Sequence, residues 1–147
     1  MRIQFLALLP FVAAALTASP LSGDWTADPR RPDARRTWLH PMRMRLDFQG
    51  QQLALEESGT LADGRPYGFA IAAGCGGKVN GILDNPEIDG VQCWSGDGDT
   101  VAIKLLRAGA VIEWRKIEVR NGQLRITSTV AGHGGRDEQS VAVLLRR

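Results

Sequence analysis

The clearest pattern in the chain is a strict alternation of apolar and polar side chains. In 42–49, Met42, Met44, Leu46 and Phe48 fall on one face, and Arg43, Arg45, Asp47 and Gln49 on the other. Period two over that length predicts a half-buried strand. The apolar face points inward, because the opposite choice would bury Arg43, Arg45 and Asp47. Leu53 and Leu55 continue the rhythm after a turn at Gly50-Gln51. Tyr67, Phe69, Ile71 and Ala73 then alternate with Gly68, Ala70 and Ala72. Further alternation follows at Val91, Cys93 and Ser95, at Val101, Ile103 and Leu105, at Leu124, Ile126, Ser128 and Val130, and at Val141, Val143 and Leu145. Between Val111 and Arg120 the phase slips. Ile112 and Trp114 share one face and Ile117 and Val119 the other, so a bulge near Arg115-Lys116 is expected.

Turn residues separate these runs. Asp63-Gly64, the Gly96–Asp99 stretch and Asn121-Gly122 are hairpin signals, and Asn-Gly is the strongest of them. The stretch Gly74-Cys75-Gly76-Gly77 is too glycine-rich for regular pairing, and Lys78–Leu83 holds a short strand at most. Turn signals recur every eight to twelve residues or so, and no segment sustains a helical period. The expected fold is all-β: a single up-and-down antiparallel barrel of eight or nine strands, closed because closure removes unpaired edges.

Composition changes this picture at the N-terminus. Arg2 precedes an apolar run from Ile3 to Leu16, interrupted only by Gln4 and Pro10, and small residues follow up to Ala18. This is the make-up of a secretory signal peptide, with residues 1–18 removed and residues 19–147 forming one domain. No later run is long enough to span a bilayer, so no transmembrane segment is expected after cleavage. Export implies a periplasmic or secreted protein. In that setting an even pair of cysteines, Cys75 and Cys93, reads as a disulfide, with two buried free thiols as the alternative. The formal net charge is +2, and +1 without Arg2, which gives no general pull toward nucleic acid.

The start of the mature region carries a resemblance. Ser22-Gly23-Asp24-Trp25-Thr26-Ala27-Asp28-Pro29 resembles the Gly-x-Trp opening of lipocalin-like (calycin-type) barrels, and in particular of small exported bacterial proteins. The resemblance implies an antiparallel barrel that holds a small ligand. It also implies that Trp25 plugs the closed end beside an arginine near the end of the last strand, a position that Arg146 fits best. The Thr-Asp-Tyr motif of true lipocalins has no counterpart here.

Candidate chemistry is sparse. His40 and His133 have no metal-ligand spacing, and the carboxylates around Cys93 are ordinary turn residues, so no metal and no cofactor are expected. No acid, base and nucleophile set marks an enzyme. The leading expectation is a non-enzymatic exported barrel that binds a small apolar or amphipathic ligand in a narrow cup. Met44, Leu46, Phe69, Ile71 and Trp114 would line that cup. The alternative is an envelope interaction module that acts through its loops around a filled barrel. Arg30, Arg31, Arg35 and Arg36 would then meet an anionic envelope surface.

Overall fold

The computed structural model describes residues 18–147 except 29, 32–40, 62, 84, 98 and 133, together with the backbone alone of Pro41 and Met42. The expected signal peptide lies outside the described residues but for Ala18; Arg35, Arg36, His40 and His133 also lie outside them. Among the described residues ten strands follow one another. They are β1 (Gly23–Ala27), β2 (Pro41–Gln49), β3 (Gln52–Thr60), β4 (Pro66–Gly74), β5 (Gly76–Gly81), β6 (Gly90–Ser95), β7 (Thr100–Arg107), β8 (Ala110–Arg120), β9 (Gln123–Val130) and β10 (Glu138–Arg146). The fold is all-β and antiparallel, and the count is ten rather than eight or nine. The excess comes from the glycine-rich stretch. Gly77, at a φ of 81°, takes a conformation that side chains disfavour, and past it the chain resumes pairing with β6 after a shift of register.

The sheet runs β4-β3-β2-β1-β10-β9-β8-β7-β6-β5. Strands adjacent in sequence pair with each other with one exception, and β1 pairs with β10 to bring the ends of the meander together. One sequential pair is missing. β4 and β5 occupy opposite edges of the sheet, so the cylinder is nearly closed and carries a seam between them. The chain itself crosses the seam at Cys75, and the Cys75–Cys93 disulfide ties that crossing to β6.

Alternation places the core. Leu53 and Leu55 of β3, Phe69, Ile71 and Ala73 of β4, and Val101, Ile103 and Leu105 of β7 all point to the axis. In β10 the inward positions are Ser140, Ala142 and Leu144, while Val141 is exposed. Leu144 lies opposite Leu124, and Ala142 opposite Ile126, so this phase keeps apolar against apolar on the inner face.

The closed end is built around Trp25, which is buried and donates its indole Nε1–H to the Leu21 carbonyl at 3.0 Å. The Arg146 guanidinium lies 4.3 Å from the indole ring centre and donates to the carbonyls of Ser22 (2.8 Å) and Pro20 (2.7 Å). This is a cation–π contact with the cation fixed by two acceptors. Gly23 makes the approach possible: its φ is 144°, and a Cβ there would stand 2.5 Å from Arg146 Nη1.

Replacing Cys75 and Cys93 together with serine frees an 18-residue loop. In the chain-entropy account this lowers unfolding stability by about 3 kcal/mol. Urea unfolding of the double variant checks the value, and an unchanged midpoint would show that the seam does not need the bond.

Candidate functional site

Four of the five residues expected to line a cup point inward and are buried: Met44 and Leu46 on β2, and Phe69 and Ile71 on β4. Trp114 does not join them. It is 40 % exposed on the outer face of β8. The expected bulge near Arg115-Lys116 is also displaced. The extra residue is Ile112, because Leu105 pairs with Glu113 and Leu106 with Val111. From Glu113 onward β8 keeps one phase, which turns Glu113, Arg115 and Ile117 inward and Trp114 outward. Placing the most apolar side chain inside fails here because a charged one has partners across the barrel.

Arg115 has no accessible surface. Its Nε donates to Glu113 Oε1 at 2.7 Å and its Nη2 to Glu113 Oε2 at 3.2 Å, a two-pronged contact between neighbours on one strand face. Its Nη1 donates to Glu57 Oε2 of β3 at 2.5 Å. Glu57 also accepts a hydrogen bond from the Tyr67 hydroxyl at 3.0 Å, and the Phe69 ring centre lies 5.4 Å from the guanidinium carbon. β3 and β8 are on opposite walls, so this cluster crosses the barrel. Burial alone would depress the guanidinium pKa. The charges of Glu113 and then Glu57 outweigh that effect and hold it above its ordinary value. The signal in the sequence was parity: Glu57 continues the inward series of Leu53 and Leu55, and Arg115 stands two residues from both Glu113 and Ile117.

Beside this cluster the seam opens into a pocket of about 410 Å³. Tyr67 and Phe69 of β4 form one wall, Pro86 and Ile88 of the β5–β6 connection form the other, and Ile112 lies at the β8 bulge. The connection is held in shape. Asn85 Oδ1 accepts from the backbone N–H of Glu87 (2.8 Å) and of Ile88 (3.1 Å), and Asp89 N–H donates to the Leu106 carbonyl (2.9 Å). The pocket thus has aromatic and aliphatic walls, with Arg65, Asn85 and Glu87 also lining it. Tyr67 connects it to the buried Glu57.

Deeper in the barrel the side chains close on one another. Leu55, Ile103, Leu105, Ile117, Leu124 and Leu144 have no accessible surface, so no water-sized space touches them. The basic stretch near β1 is partly engaged. Arg30 donates to the buried Asp28 through Nε at 3.0 Å and Nη2 at 3.2 Å. These bonds, with the Arg30 backbone N–H, hold the Asp28 carboxyl below its ordinary pKa.

Comparison with known proteins fits this geometry at the level of fold. A crystal structure of zebrafish ileal bile acid-binding protein complexed with cholic acid superposes with a TM-score of 0.60. It covers 88 % of this chain and all of that one, at 11 % sequence identity. The likeness is one of fold, an antiparallel and nearly closed β-barrel. No protein-family profile and no curated sequence matches the chain.

Arg115→Met should leave two carboxyl groups inside the barrel without their cation. Stability at about pH 7 should fall by roughly 3–5 kcal/mol. Carboxylates left facing each other in a dry interior take up protons more readily than in the unfolded chain, so this penalty is full above their raised folded pKa values and fades as pH falls through those values toward the unfolded one of about 4.3. Urea unfolding at about pH 7 and about pH 5 should therefore show a smaller deficit at the lower pH. An equal deficit at both would mean that lost packing, and not unpaired charge, is the cause.

Proposed function

We propose that the chain is an exported barrel that binds a small amphipathic ligand at the seam mouth, against Tyr67 and Phe69, and not in a deep axial cup. The observation that carries this reading is the seam pocket itself: an aromatic and aliphatic recess lined also by a few polar groups, among them the Tyr67 phenol held by Glu57. Mostly apolar walls supply binding by burial, and a few placed polar groups set orientation. Of the residues expected to line a cup, Phe69 alone lines this pocket; Met44, Leu46 and Ile71 belong to the core, and Trp114 has no part in it. The solved neighbour's complex with cholic acid agrees with a barrel of this type holding an amphipathic molecule. Export rests on the apolar leader at 1–18, and a periplasmic or secreted setting suits the disulfide.

A second reading is favoured by the closed interior: an envelope interaction module with a filled barrel, acting through its loops. Arg31 and the glycine-rich loop at 132–135 would contribute to it, with Arg30 shared with Asp28.

The two separate in a titration. The mature chain, which should begin at Ser19 by N-terminal sequencing, is titrated with 1-anilinonaphthalene-8-sulfonate and the probe is then competed with cholic acid and long-chain fatty acids. Saturable binding is expected. Ile112→Trp, which fills the pocket, should weaken it by about tenfold or more, the equivalent of ~1.4 kcal/mol. Absence of saturable binding by the wild type would leave the interaction module standing.

A further inference from the structure

The outer surface of β5–β8 differs from an ordinary solvated sheet face. Five large apolar side chains are exposed among the described residues: Val79, Leu83, Val111, Trp114 and Val141. Four of them belong to this one region. Register fixes their arrangement. Val79 of β5 lies opposite Gln92 of β6, Gln92 opposite Lys104 of β7, and Lys104 opposite Trp114 of β8, so the four form one outward row across four strands. Val111 extends the patch beyond the bulge, opposite Leu106, and Leu83 follows two residues after β5.

The aromatic part of the patch is fixed in place. Trp94 and Trp114 lean together across β7, with ring centres 5.9 Å apart and planes 21° apart. Lys104 Nζ lies 4.8 Å from the Trp114 ring centre and 5.2 Å from that of Trp94. Beneath Trp94 is Gly77, where a Cβ would stand 2.7 Å from the indole Nε1. The rings are therefore seated on backbone and bridged by a cation, which keeps them at the surface.

Charge on this face is one-sided. Lys104 and Lys116 point outward from β7 and β8. The one carboxylate on the outward positions of β6, β7 and β8 is Glu118, and it is occupied by Lys116 at 3.0 Å and Arg120 at 3.2 Å. The face is convex, being the outside of a barrel, so it cannot enclose a small molecule. A soft, planar, anionic layer suits it: indoles settle at the level of lipid headgroups, aliphatic side chains enter just below, and lysines reach the phosphates.

We propose that the outer face of β5–β8, centred on Trp94, Lys104 and Trp114, docks on an anionic phospholipid surface. This site is independent of the seam pocket, which opens between β4 and the β5–β6 connection.

The test is co-sedimentation of the mature chain with vesicles of phosphatidylcholine, with and without phosphatidylglycerol, together with tryptophan emission. Binding is expected only to the vesicles with phosphatidylglycerol, with a blue shift and with loss on addition of salt. Lys104→Glu reverses one charge and should weaken binding about tenfold or more, at roughly 1 kcal/mol per charge near the surface. Val79→Glu, at a position 62 % exposed, should do the same without disturbing packing, whereas Val141→Ser, on β10, should bind as the wild type. A lack of binding, equal binding to neutral vesicles, or unchanged binding by both charge variants would overturn the proposal. So would sedimentation velocity showing that the same variants abolish a dimer, since the occupant of the face would then be a second copy of the chain.

Discussion

One interaction crosses the barrel and sets the phase of the walls it joins: the contact of Arg115 with Glu57 and Glu113. A guanidinium without accessible surface is tolerable only when its donors are met and its charge is balanced. Glu113 meets it from two residues away on the same strand, and Glu57 from the opposite wall. The consequence is geometric. Turning Arg115 inward obliges β8 to turn Trp114 outward, moves the extra residue of the strand to Ile112, and so shapes both the mouth of the seam and the outer aromatic face. The ion cluster is also what binds Tyr67 and Phe69 into the same structure, one through a hydroxyl hydrogen bond and the other through its ring.

Much of the fold could be read from the order of residues, because alternation is a direct record of a sheet with one wet face. The strand at 42–49 and the strand at 67–73 needed no tertiary information, since arginines on one side and only glycine and alanine on the other decide which face is buried. Asn121 and Gly122 take positive φ values of 52° and 73°, the conformation an Asn-Gly hairpin demands. What the order of residues concealed was every feature that depends on a distant partner. Glu57 and Arg115 stand 58 residues apart, so no local window shows that either charge is matched. On hydrophobicity alone, Trp114 belongs inside. The fifth strand was legible only as a short run at 78–83, not at 76–81, because an edge strand with three glycines in six residues has no alternation to show. The seam pocket was invisible for a related reason: it exists where β4 and β5 fail to pair, and sequence patterns report pairing.

The β1–β10 closure and the β4–β5 seam are held by different physics. At the plugged end, Trp25 fills the space and Arg146 lies over it, tethered to two carbonyls through a gap that only a glycine at 23 leaves open. At the seam there is no ladder, and a covalent bridge with one crossing residue stands in for it. Both devices join elements that hydrogen bonding between neighbouring strands alone would leave loose.

The pairing of β1 with β10 has a kinetic side. Trp25 lies opposite Arg146, so the strand that starts the sheet finds its second neighbour only when almost the whole chain is present. The other hairpins connect residues close in sequence and can form as soon as they are made. Closure carries the entropy of a loop that spans the domain, and such long-range pairings slow the approach to the native state. Until residue 146 arrives, both flanks of the growing sheet remain open. A chain built this way stays unfinished for as long as its last strand is still held elsewhere, and the contact of one arginine with one indole waits for that strand.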